Sequence, residues 1–163
     1  MRLLLLLAAL AAAACAKPPA STPAAFSPAD GSFEALAPGD WRVDQEAGLT
    51  RKAAFFGPPD GPRAFSEMIR VALHPAQEPE AFRAARAPGG PALTETSAGG
   101  AKAWQFVRED ALPDPHAAAR QVVTRTVLIP SPRGLFALEH SWPAESKPGP
   151  AFDEFLASFR AKP

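Results

Sequence analysis

Proline occurs 20 times and glycine 11 times in the 163 residues. Proline fixes φ and lacks a backbone donor, and glycine supplies turns, so together they cut the chain into short pieces. Apolar pieces bounded in this way read as strands. Residues 33–36 form one, stopped by Pro38–Gly39, and residues 41–45, 49–56 and 65–73 form three more. Pro79 suits the first turn of a helix over 79–87, with Glu80 near its positive end, and Pro88–Gly89–Gly90 ends it. Residues 93–97 and 102–108 flank Gly99–Gly100, a hairpin signal. Residues 121–129 and 135–142 flank the Pro130 to Gly134 turn and make a second hairpin. In the last of these strands Phe136, Leu138, His140 and Trp142 share one face, and Leu135, Ala137, Glu139 and Ser141 share the other. After Gly149–Pro150, the residues Phe152, Phe155, Leu156 and Phe159 recur at helical spacing and form one apolar face. The expected fold class is α+β, an antiparallel sheet with two helices packed on it.

The first residues carry a different message. Arg2 precedes a short apolar run over residues 3–10, and small residues lead to Cys15. The run is shorter than the roughly 20 apolar residues that a spanning helix needs, and it fits a secretory signal peptide. The segment Leu10–Ala11–Ala12–Ala13–Ala14–Cys15 resembles a bacterial lipobox, although Ala12 stands where Leu, Val or Ile is usual. The resemblance implies cleavage between Ala14 and Cys15 and lipidation of Cys15, and hence a membrane partner reached through that lipid. Ala16 and Lys17 follow the cysteine in place of the aspartate of inner-membrane retention signals. This implies a periplasm-facing protein on the outer membrane. The expected organisation is a signal peptide over 1–14, an acylated cysteine with a Pro/Ala-rich tether over 15–30, and one domain over 31–163.

Charge and missing residue types narrow the function. Lys plus Arg is 17 and Asp plus Glu is 17, which leaves no positive surplus to displace counterions from nucleic acid. Removal of the leader takes away Arg2 and leaves a slightly acidic chain. One cysteine excludes an internal disulfide and a cysteine zinc cluster. The chain has no tyrosine, no nucleotide-binding glycine motif and no nucleophile elbow. His140 reads as a core or edge residue of its strand, and His74 and His116 read as exposed. Three separated histidines do not define a metal site, and no cofactor is expected. Glu139, Asp153 and Glu154 read as surface charge rather than a catalytic pair. Arg83, Arg86, Lys102, Arg108, Arg120, Arg125 and Arg133 alternate with acids and read as a mixed surface. Trp41, Trp104, Phe106, Phe136 and Trp142 read mainly as core.

Three segments together resemble PsbP-like domains. Ala37–Pro38–Gly39–Asp40–Trp41–Arg42–Val43 is similar to their opening strand. Gly100 to Phe106 is similar to their central hairpin strand, and Phe155–Leu156–Ala157–Ser158–Phe159 to their closing helix. The superfamily includes PsbP of photosystem II, Mog-type Ran-binding proteins and the envelope lipoprotein DcrB. The resemblance spans most of residues 31–162 and implies an α/β/α sandwich with helices on both faces. It brings no catalytic residues with it. The expected function is therefore a membrane-anchored envelope lipoprotein that binds or scaffolds an envelope protein partner and is not an enzyme. A carrier of an apolar or small ligand between sheet and helix is the alternative, and an enzyme of unknown class the further one.

Overall fold

The computed structural model describes residues 22–45, 50–59, 65–112 and 120–163. Along these residues the chain runs β1 (Ala24–Phe26), β2 (Phe33–Ala37), β3 (Arg42–Gln45), β4 (Arg51–Phe56) and β5 (Met68–His74). Helix α1 (Pro79–Arg86) follows, then β6 (Thr94–Ala98), β7 (Ala101–Leu112), β8 (Arg120–Ser131) and β9 (Gly134–Pro143). Helix α2 (Ala151–Ser158) and β10 (Arg160–Ala161) close the chain. Seven strands build one antiparallel sheet in the order β3-β4-β5-β9-β8-β7-β6. It joins two meanders, and the seam is the pairing of β5 with β9, from Met68 opposite Ser141 to His74 opposite Leu135. The other three strands form a small sheet in the order β1-β2-β10.

Alternation along the strands separates two faces. The front face carries Phe55, Ile69, Val71, Val127, Ile129, Phe136 and Leu138, all buried. Helix α2 and the small sheet cover it. Phe33 of β2 and Phe155 and Phe159 from the C-terminal segment insert their rings, with Phe33 stacked on Phe159 at 5.1 Å and Phe55 edge-on to Phe155 at 5.0 Å. Each fully buried ring contributes about 1.5–3 kcal/mol. The back face is dressed more thinly. Phe82 and Ala87, at α1, meet Phe106, Leu128, Leu135 and Ala137 there. Most of the fold is thus antiparallel sheet, with one eight-residue helix on each face. The expected three layers are present only in outline.

Two glycines make close approaches that no other residue permits. At Gly99, φ is +58°, and a Cβ would stand 1.8 Å from the Phe159 carbonyl oxygen. The Gly99 N–H donates to the Leu156 carbonyl at 2.8 Å, tying the β6–β7 turn to the end of α2. At Gly134, φ is +136°, and a Cβ would stand 2.1 Å from the His74 carbonyl oxygen, where β9 crosses against β5.

Several expected boundaries move. Ala24–Phe26 is a strand paired with residues 35–37 of β2, so the ordered fold begins inside the segment read as tether and ahead of residue 31. Its anchor is Phe26, whose ring lies 5.0 Å from Phe55. Three residues of strand between prolines show no period, and only the partner strand makes them one. The terminal helix stops at Ser158. Phe159 is extended at φ −62° and ψ 131°, and the chain turns into β10, pairing Arg160 with Glu34 and Ala161 with Phe33. Strand β7 runs to Leu112 and β8 spans Arg120–Ser131, so both exceed the expected 102–108 and 121–129. Phe65 lies outside β5, with its ring 5.2 Å from Phe56.

Candidate functional site

The polar groups of the front face gather at one end of α2. His140, only 2% exposed, follows Leu138 on the front of β9 and stands opposite Ile69 of β5. Glu67 precedes β5 on the same alternation and reaches the imidazole, with Oε2 2.7 Å from His140 Nε2. Its other oxygen accepts the Gly149 N–H at 2.9 Å, which fixes the loop that leads into α2. Rings close over the histidine, with Phe152 stacked at 4.8 Å and Trp142 tilted at 4.9 Å. The Arg125 guanidinium also lies over the Phe152 ring, 5.4 Å from its centre. It donates to Gln105 Oε1 at 2.8 Å and to Asp153 Oδ1 at 2.7 Å. Burial would raise the Glu67 carboxyl, but the hydrogen bonds from His140 and Gly149 and the histidine's charge hold it below the usual carboxylate range.

The back face holds a second polar cluster. Glu139 is 9% exposed, not the surface acid expected from alternation. β9 lies in the middle of the sheet, between β5 and β8, and an arginine from β5 and one from β7, the strand beyond β8, reach across to it. Arg108 Nη2 lies 3.4 Å from Glu139 Oε1, and Arg70 Nη1 lies 3.8 Å from Oε2. Arg108 also donates through Nε to Asp110 at 2.7 Å. Asp153 belongs to the front face through Arg125, so Glu139 and Asp153 do not form a pair. Glu154 lies exposed on α2.

His74 also departs from expectation. Its Nε2 is buried and finds no hydrogen-bond partner among the described residues, and its ring sits edge-on to Phe82 at 5.0 Å. Burial and the nearby Arg86 charge lower its pKa, against the opposing charge of Glu139. A strand end before a proline is expected to be exposed, but α1 folds back over His74, the last residue of β5.

Four of these basic residues are paired with acids, Arg108 among them. Arg83 binds Glu80, Lys102 binds Glu95 at 2.8 Å and Arg125 binds Asp153, as a mixed surface requires. Trp41, Trp104 and Trp142 are half-buried, while Phe106 and Phe136 are core. Cys15, Ala14 and His116 lie outside the described residues. Sequence reasoning missed Glu67. Counting back by two from Ile69 puts it on the front face, an acid at the end of an apolar row.

One open groove lies away from both clusters. Pro23, Leu36, Pro38, Ala151 and Ala157 line it, with Glu154 and Ser158 at its wall, and its volume is about 380 Å³. It runs between β2 and the outer side of α2. The space beneath α2, where an apolar ligand was expected to sit in the carrier reading, is filled by Phe33, Phe55, Phe155 and Phe159.

No protein-family model matches the chain, and no curated protein matches it in sequence. Its fold has solved counterparts, and they define the class: the fold is PsbP-like. The solution structure of the cyanobacterial PsbP protein CyanoP from Synechocystis sp. PCC 6803 superposes with a TM-score of 0.56 at 12% identity, covering 91% of this chain and 98% of CyanoP. A crystal structure of a protein from Bacteroides thetaiotaomicron VPI-5482 superposes with a TM-score of 0.61 at 10% identity, covering 85% of this chain. This chain spans about half of that protein, 48% of its length. At these identities the likeness is one of fold.

Proposed function

We propose that this protein is a lipid-anchored protein of the bacterial envelope that works by binding or scaffolding a partner, without catalysis. The leader carries the anchoring part: an apolar run, small residues and a lone cysteine at the lipobox position make Cys15 the thioether-linked first residue of the mature chain. The absence of aspartate after it favours the outer membrane. The binding part is supported by the way the titratable groups are used. His140 and Glu139 are buried, Glu67 is half-buried, and all three are held by fixed partners, where they brace the loop before α2 and the centre of the sheet. A general acid or base needs access to a reacting atom, and a histidine 2% exposed beneath two rings has none.

The test has two arms. Intact mass of the protein extracted from membranes is expected to show a chain starting at Cys15 with added acyl mass. A different N-terminus, or a protein released by mild aqueous extraction, overturns the anchor. Crosslinking in membranes followed by mass spectrometry is expected to identify one recurrent envelope protein. That protein should be retained by a folded variant carrying His74→Gln, His116→Gln and His140→Gln. A folded triple variant that keeps the partner but loses the cellular phenotype returns a catalytic role.

A further inference from the structure

We infer that the groove between β2 and α2 is the face this domain lays against the lipid surface, with Leu36 as its apolar contact. The inference rests on the lipid-anchored reading of Cys15.

Chain continuity is the first ground. Pro23 is both a wall of the groove and the root from which the chain runs back to Cys15. Even fully extended, the segment from Cys15 to Pro23 reaches about 26 Å. As a coil it averages about 16 Å. A lipid on Cys15 therefore holds this groove, more closely than the far end of the sheet, within reach of the bilayer. At the effective concentrations that short tethers impose, a weak contact becomes a populated one.

The second ground is composition. In β2 the residues Phe33, Ala35 and Ala37 turn inward, and Glu34 and Leu36 turn outward. Glu34 is paired with Lys162 at 2.8 Å. Leu36 remains 46% exposed, one of two large exposed apolar side chains among the described residues, the other being Val107. The backbone under Leu36 is held firmly, because its N–H donates to Ser158 Oγ at 2.9 Å. Pro38, Ala151 and Ala157 extend the apolar surface around it. The charges beside it are balanced or acidic: the Glu34–Lys162 pair, and Glu154 at the wall. The contact is therefore apolar rather than electrostatic. It will not be strengthened by anionic lipid and will not weaken with salt, unlike a basic surface on an anionic bilayer.

The experiment uses the acylated full-length chain with Leu36→Cys, labelled with a thiol-reactive nitrobenzoxadiazole dye. The protein is reconstituted in phosphatidylethanolamine/phosphatidylglycerol vesicles. Val107→Cys is the reference, and thermal melts confirm that both variants fold. When Cys15 is occupied by lipid, each variant titrates with one thiol. A lipid spin label at shallow depth is expected to quench the dye at 36 at least three-fold more than at 107, equally at 50 and 500 mM salt. Equal quenching at both positions with one titratable thiol overturns the lipid-facing groove and leaves the anchor standing. Protection at 36 from both the lipid spin label and aqueous iodide shows a second copy in the groove and also overturns it. Two titratable thiols and no acyl mass overturn the anchored reading, and this inference falls with it.

Discussion

The two faces of the seven-stranded sheet are made by alternate residues of the same strands, yet they are built on different principles. The front is nearly dry. Phe55, Ile69, Leu138 and Phe136 meet a second layer of rings, and a titratable pair, buried His140 with half-buried Glu67, sits at the rim of α2. The back has one aromatic from a short helix, Phe82, and beside it a row of charges, Arg70, Arg108 and Glu139, that cover each other. Rings held by many neighbours give large, non-directional stabilisation. Charges sharing a sheet surface give smaller net stabilisation, because desolvation offsets much of the attraction. The front should therefore carry the stability of the domain and the back should be its softer side.

The strongest way to break that contrast is to truncate one ring on each face. Phe155 is fully buried between Phe55 and Phe159, and Phe155→Ala is expected to cost about 4 kcal/mol. Phe82 belongs to a helix whose buried contact on the sheet is that side chain, so the site can collapse, and Phe82→Ala is expected to cost about 3 kcal/mol, the low end for a buried ring. Denaturant unfolding with unchanged slope measures both. Equal losses would mean that α1 is as integral as α2.

A second test sharpens the account of the back. Glu139→Gln removes the charge that Arg70 and Arg108 share and should cost about 2 kcal/mol. The double variant Arg108→Met/Glu139→Leu, which also removes one of the desolvated cations, should recover at least half of that loss. A double variant that loses as much stability as Glu139→Gln alone, or more, would show that ion pairing in the cluster stabilises the fold net of desolvation.

What could be read in the sequence follows the same divide. Along β9 the row Phe136, Leu138, His140, Trp142 is regular because a dry face needs apolar residues at every second position, and the helix stripe of α2 matches it for the same reason. Glu139 was read as solvated because alternation assigns it to the opposite face but does not say whether that face is covered. Its burial depends on Arg108 and Arg70, 31 and 69 positions upstream in the chain. His74 was misread for a similar cause, the return of α1 over the strand end. Strands β1 and β10 are three and two residues long, too short for any period, and exist through pairing with β2. Glu67 carries no motif; its partner His140 is found only when β5 and β9 are set side by side.

The finest test of the contrast is pH. His74, on the back, has a folded pKa held below its ordinary 6.5 by burial and by Arg86. The stability it contributes is fully present above about pH 6.5 and is lost as pH falls through the folded value, because the unfolded chain takes up the proton first. Asp30 lies between β1 and β2, beside the front layer. Burial alone would raise it, but hydrogen bonds from Lys52, 2.7 Å away, and from Ser32 bring it from 3.8 to about 2. Glu67 is lowered as well. These two contribute fully above the ordinary carboxylate range and are lost only as pH falls through their lower folded values. Between pH 7 and pH 5, then, the decline in stability should come from the back face, and His74→Gln should flatten the curve there. Asp30→Asn should leave that window unchanged and flatten the curve below about pH 4. Its effect should be about 1 kcal/mol, because a side chain 35% exposed is screened by solvent. Unfolding midpoints measured in steps from pH 7 to pH 3 decide the matter. A wild-type curve that is level down to pH 5, or one that His74→Gln fails to flatten, would show that the strand end under α1 takes up a proton as readily folded as unfolded. The back face would then be no softer to acid than the front.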